Sequence, residues 1–238
     1  MCDQPIQIAV LGDKGVGKTS IVRQWLSNDY SSIYSATRLA TYHFTSLFNG
    51  QRLFHIRIID TPRFDETNNT DPQQEWVRMY CFRQAHVFLL VFDVNREETF
   101  SYIKNIYREI IRVRLNYNNN SSYLQQNAVH HTDIINDDDD SSSMDIPVIV
   151  VANKVDLIAT DLHFTNFNLA STRDILQYTK KNFKANTILC SAKYHWHLVL
   201  LFKEVCHMLE TVEDTVAKQA AQQARRRLQQ HGKHCHIM

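Results

Sequence analysis

The 238-residue chain lacks an excess of charge of either sign: 26 lysines and arginines stand against 25 aspartates and glutamates, a formal net charge of +1. That balance gives no electrostatic reason to expect a nucleic-acid partner. Cysteines number five, an odd count without a close Cys-x-x-Cys pair, which argues against a disulfide framework and for a reducing compartment. Nowhere does an apolar run approach the roughly 18 residues that a membrane span requires, and the N-terminus carries no signal-peptide pattern. The expectation is a soluble cytosolic protein, long enough to bury a sizeable core.

Short apolar runs are what the chain does contain: "IQIAVL", "LFHIRIID", "HVFLLVFDV", "IPVIVVANK" and "NTILCSAK". They are β-branched or aromatic and apolar at successive positions, as strands buried on both faces require. Helical spacing fills the stretches between and after them, over Gln73 to Gln84, Glu98 to Leu115, Asn168 to Lys184 and His197 to Ala224. The alternation predicts a mostly parallel sheet with helices on both sides. From about Asn116 to Asp145 the rhythm breaks into a polar segment, expected to be a disordered insertion between a helix and the next strand. Its four consecutive aspartates lack the spaced glycine and terminal glutamate of a calcium loop, so a solvated linker is expected.

The first strand leads into "GDKGVGKTS", which fits G-x-x-x-x-G-K-[ST] with Gly12, Gly17, Lys18 and Thr19. In such a loop, backbone N–H groups and the positive end of a helix dipole converge on one anion. The Lys18 side chain adds a full charge and the Thr19 hydroxyl can ligate Mg2+. The expected phosphate contacts are therefore Gly12, Asp13, Lys14, Gly15, Val16, Gly17, Lys18, Thr19 and Ser20. A base is specified at the end of "IPVIVVANKVD", by Asn153, Lys154 and Asp156. Guanine presents two donors on one edge, and a carboxylate held in plane accepts both, at about 1.5–3 kcal/mol for each charge-assisted bond. In "CSAK" the Ala192 N–H could meet guanine O6 beside Ser191, with the stems of Lys154 and Lys193 over the ring. Each motif closes a strand at its C-terminal end, where open α/β sheets bind ligands.

These three motifs in this order resemble those of small GTPases of the Ras superfamily. "GVGKTSIVRQWL", "QEWVRMYCFRQAHVFLLVFD" and "CSAKYHWHLVLLF" are similar to the Ras-like family ten branch. The resemblance implies an α/β, three-layer P-loop GTPase fold with a mostly parallel six-stranded sheet, over residues 1–220. It implies GTP or GDP with Mg2+ as ligands, and Thr19, Thr37 and Asp60 as the metal set. It also implies that Lys18 and Thr37 act in catalysis, that Tyr30 stacks on guanine, and that Tyr34 folds over the phosphates. Partners implied are an effector, an exchange factor and an activating protein, none identified, with a monomer expected. Switch I, "YSSIYSATRLATYHF", lacks the acidic residues with which Ras engages basic effectors.

Hydrolysis is expected to be slow. "DTPRF" puts Phe64 where the family places a water-orienting glutamine and Arg63 where it places a glycine, with Pro62 stiffening the segment. Lys14 stands where Ras has a small glycine, close to the entry of an arginine finger. A regulated switch is thus weighed against a guanine-nucleotide-bound interaction module with negligible hydrolysis, and an adenine-specific kinase is disfavoured by Asn153 to Asp156.

The tail, residues 221–238, contains Arg225, Arg226, Arg227 and Lys233 and ends in Cys235-His-Ile-Met, which fits a farnesylated C-a-a-X motif. Lipid plus basic cluster predicts an anionic membrane surface, with the cytoplasmic face of the plasma membrane as the expected destination. His231, His234 and His236 beside Cys235 lack a second thiolate, so no metal site is expected there. "YHWHL" is expected to begin the last helix, with Trp196 in or near the core.

Overall fold

A computed structural model describes residues 5–33, 35–48, 52–64, 71–122, 146–159, 169–212 and 214. Six strands form one sheet: β1 (Ile6–Gly12), β2 (Ala40–Phe48), β3 (Arg52–Asp60), β4 (Val87–Asp93), β5 (Val148–Asn153) and β6 (Thr187–Leu189). Their spatial order is β2-β3-β1-β4-β5-β6. β2 pairs antiparallel with β3 and every other pairing is parallel. The expected α/β fold with a mostly parallel six-stranded sheet is the observed one.

The unbroken apolar runs follow from burial on both faces. Along β4, Phe88, Leu90 and Phe92 enter one core and Val87, Leu89 and Val91 the other. Helices α2 (Pro72–Gln84) and α3 (Glu97–Ser122) cover the first face with Phe82, Ile103 and Ile110. The second is covered by α1 (Lys18–Ser27), through Ile21 and Val22, and by α6, helical over 198–212, through Leu201 and Val205. A short α4 (Asp156–Ala159) follows β5, and α5 (Leu169–Tyr178) ends in one π-helical turn, Thr179–Phe183. None of the described helices is long and apolar enough to cross a membrane.

β2 has no apolar run, because only one side of this edge strand is covered: Tyr42 and Phe44 are half-buried while Thr41, His43 and Thr45 are exposed. A search for consecutive apolar residues passes over such a period-two strand. α3 extends to Ser122, seven residues beyond the expected Leu115 and into the segment expected to be an insertion. It contains no glycine or proline, and propagating an existing helix costs far less than starting one, so asparagines and serines do not stop it. The rest of that insertion, Tyr34, and the tail with Cys235 lie outside the described residues.

Trp196 does not enter the core. It is 44% exposed and stacks on Tyr194, with ring centroids 5.3 Å apart. Reciprocal backbone bonds of 3.1 Å between Ser191 and Trp196 turn the chain first, His195 and His197 take positive φ, and Leu198 becomes the buried residue.

Candidate functional site

β1 ends at Gly12, whose φ of +153° suits glycine and whose missing Cβ would lie 2.2 Å from the Val91 carbonyl oxygen. The loop beyond it closes on Gly17, the N-cap of α1. No side chain caps this helix and no acidic residue stands in its first turn, so its N-terminal amides remain available to an anion. Lys18 folds back over the loop, donating to the carbonyls of Gly12 and Asp13 at 2.8 Å each. Burial lowers its pKa to about 8, with Asp60 and Asp13 opposing the shift.

Beside this ammonium, three oxygens meet. The Thr19 hydroxyl donates to Asp60 Oδ2 at 2.7 Å and lies 2.8 Å from the Thr37 hydroxyl. Asp60 Oδ1 is buried without a hydrogen-bond partner, and burial raises the carboxyl pKa to about 6 against the Thr19 bond and the Lys18 charge. Hard oxygen donors with one orphaned carboxylate oxygen among them fit a small divalent cation such as Mg2+. Among the described residues no cluster of three or more His, Cys, Asp or Glu offers an alternative metal site.

Strand register brings the second group of residues to the same edge, since Gly12 pairs with Val91 on β4 and Asp93 pairs with Asn153 on β5. Asn153 Nδ2 donates to the Val16 carbonyl at 2.8 Å, and its Oδ1 accepts from the Ala192 N–H at 3.1 Å. One amide thus joins the phosphate loop to the "CSAK" turn. Gly17 has to be glycine for this, because a Cβ there would lie 2.2 Å from Asn153 Nδ2. The Ala192 N–H, expected to face guanine, is here taken by Asn153. Ser191 donates to Asp156 Oδ1 at 2.6 Å, which fixes the plane of that carboxylate. Burial pushes the Cys190 thiol up to about 12, making it a packing group.

A cavity of about 850 Å³ spans the whole arrangement, from Gly15, Lys18 and Thr19 past Thr37 and Asp60 to Asp156. Gly17, Ser20, Tyr30, Asn153, Lys154, Ala192 and Lys193 also line it. Gly12, Asp13, Lys14, Val16 and Ser191 do not, and most of these act through a neighbour. Gly12 and Val16 offer carbonyls to Lys18 and Asn153, Ser191 orients Asp156, and the Lys14 carbonyl accepts from Arg96 Nη2 at 2.9 Å.

Several supporting residues escaped the sequence reading. Asp93 pairs with Lys154 Nζ at 2.8 Å and Arg96 Nε at 3.2 Å, while Gln24 Nε2 donates to the Ala192 carbonyl at 2.9 Å. The available signal was an aspartate closing an apolar strand in "LLVFDVNRE". Phe64 is 2% exposed and packs edge-on against Phe82 in the core.

Residues 7–124 match the family model described as "Ras family". The chain is 27% identical over 201 residues to human Ras-like protein family member 10B, covering 84% of this chain and 83% of that one. It is 23% identical over 202 residues to human Ras-like protein family member 10A, covering 84% of each. Against Ras-like protein rasW of Dictyostelium discoideum the identity is 28%, over 64% of this chain and 54% of the other. With the loop, the hydroxyl–carboxylate cluster and the Asn153–Asp156 corner set around one cavity, the chain carries a Ras-family G domain.

Proposed function

We propose that this chain is a membrane-anchored GTP/GDP switch whose intrinsic hydrolysis is slow. The observation that carries the reading is the single continuous cavity that joins an uncapped helix N-terminus, a hydroxyl–carboxylate cluster and an oriented carboxylate. Loop amides and Lys18 would bind the phosphates, and Thr19, Thr37 and Asp60 would hold Mg2+, which would supply charge neutralisation at the phosphates. Asp156 accepts from the guanine edge, Tyr30 stacks on the base, and Lys154 and Lys193 cover it. Thr37 belongs to the segment that a γ-phosphate would order, so loss of that phosphate releases it. Titration of the purified protein with fluorescent GDP and ATP tests the reading, and equal affinity for the two would overturn it.

A second reading, a nucleotide-bound interaction module with negligible hydrolysis, draws support from the burial of Phe64, which leaves no glutamine-like group at that position. Single-turnover hydrolysis separates the two.

Nucleotide affinity should decline above pH 8. In the free protein Lys18 loses its proton near pH 8, whereas a bound phosphate favours the ammonium form. Binding at higher pH must therefore take up a proton, and affinity, intact below pH 8, falls by up to about tenfold per pH unit above it. GDP titrations from pH 7 to 9.5 check this, and a flat profile would show that Lys18 is charged throughout.

Anchoring rests on the Cys235 tail. Cys235→Ser should move most of the protein from membrane to soluble fractions, because the basic cluster alone offers roughly 1 kcal/mol per residue, screened by salt. Replacing Arg225, Arg226 and Arg227 with Gln should release part of it. Unchanged fractionation of Cys235→Ser would mean that the terminal motif is coincidental.

A further inference from the structure

Asp13 sets a carboxylate into a loop that has to receive an anion. The residue is buried, its Oδ1 accepts from the Lys14 N–H at 2.6 Å, and the same oxygen pairs with Arg63 Nη1 at 3.1 Å. Arg63 comes from the segment after β3, directly beyond Asp60, Thr61 and Pro62. α3 holds it in place: the Phe64 N–H donates to the Tyr102 hydroxyl at 3.0 Å, and that hydroxyl donates to the Phe64 carbonyl at 2.9 Å. The guanidinium carbon itself lies 5.1 Å from the centroid of the Tyr102 ring. Asp13 and Arg63 both act electrostatically on Lys18, with opposite sign, so both charges are within range of the ammonium expected to meet the phosphates.

We propose that Arg63 is a specificity-determining residue that screens the Asp13 carboxylate, allowing the loop to accept the extra charge of a nucleoside triphosphate and so setting the ratio of GTP to GDP affinity. This rests on the guanine-nucleotide reading above. The physical reason is charge balance. GTP brings one more phosphoryl group than GDP to the end of the loop, and an unscreened carboxylate opposes that added charge more than it opposes the diphosphate. At an effective dielectric constant of about 20, one uncompensated charge within about 8 Å of another changes binding by about tenfold or more. The Arg63 side chain is 37% exposed, so solvent screens the pair in part and the lower end of that range applies. The Tyr102 ring lies against the guanidinium that pairs with Asp13, whereas a glycine at this place would leave Asp13 without that pair.

The test is equilibrium titration of the full-length protein with fluorescent GDP and a non-hydrolysable GTP analogue, both with Mg2+. Arg63→Gln should lower the GTP-to-GDP affinity ratio by about tenfold, while near-native GDP affinity shows that the variant is folded. Adding Asp13→Asn, which keeps the acceptor for the Lys14 N–H and removes the charge, should restore the ratio. Arg63→Lys should largely preserve it. An unchanged ratio in Arg63→Gln would overturn the proposal, as would equal loss of both affinities. A reduced ratio that Asp13→Asn fails to restore would also overturn it, making Arg63 a direct phosphate ligand instead. Wild-type protein that binds neither guanine nucleotide would overturn the functional reading itself, an outcome distinct from guanine binding with an indifferent ratio.

Discussion

Asp156→Asn should weaken GDP binding by about 100-fold or more and raise affinity for xanthosine diphosphate. The carboxylate is expected to accept from both donors of the guanine edge, and two charge-assisted bonds at about 1.5–3 kcal/mol each set that minimum. An asparagine offers one acceptor and one donor, which opposes the exocyclic amine of guanine but matches the carbonyl that xanthine carries in its place. The substitution is conservative for the fold, because Ser191 donates to Asp156 Oδ1 at 2.6 Å and an amide oxygen accepts the same bond. Asn153 and its bonds to Val16 and Ala192 are left intact, so the corner keeps its shape. Competition titrations with GDP and XDP on both proteins decide. Unaltered GDP affinity in Asp156→Asn would mean that this carboxylate does not face the base, and the assignment of the cavity end formed by Asn153 to Asp156 would fall.

Motifs of this site were legible where chemistry demands particular residues at fixed spacing. The chain has five glycines, and Gly12, Gly15 and Gly17 all adopt positive φ inside one loop. That concentration is visible in the sequence because no other residue tolerates such a backbone cheaply. Strands buried on both faces were equally plain, since β4 and β5 leave no room for a polar side chain before their functional ends. Residues that act through a single long-range contact were not legible. Asp93, Arg96 and Gln24 are ordinary polar residues in sequence and acquire meaning only when register and helix packing bring them to Lys154, Lys14 and Ala192. Trp196 misled for the converse reason: its size suggests burial, but the Ser191–Trp196 bridge is a turn constraint that hydrophobicity cannot report.

The same distinction shapes the expectation for hydrolysis, which should run below the roughly 3–5 × 10⁻⁴ s⁻¹ of intrinsic Ras hydrolysis. Phosphoryl transfer to water depends on orienting the nucleophile, and the residue that the resemblance sets at the orienting glutamine is Phe64, whose ring is packed against Phe82. Installing the glutamine should therefore not restore a family-like rate. Phe64→Gln places an amide in an apolar site, where the lost packing and the desolvated polar group together cost about 3 kcal/mol or more, so a lower Tm is expected in place of faster turnover. Lys14→Gly acts differently, because the Lys14 side chain is exposed and its carbonyl, which Arg96 uses, survives the change. It should leave stability nearly unaltered and remove bulk from the approach to the phosphate end. Single-turnover assays with thermal unfolding on wild type, Phe64→Gln and Lys14→Gly test these expectations together. A Ras-like rate in the wild type would show that another residue orients the water. A gain in rate without loss of stability in Phe64→Gln would show that position 64 leaves the core when nucleotide is bound, and that the segment after Asp60 moves as a switch despite the two Tyr102 bonds that hold it.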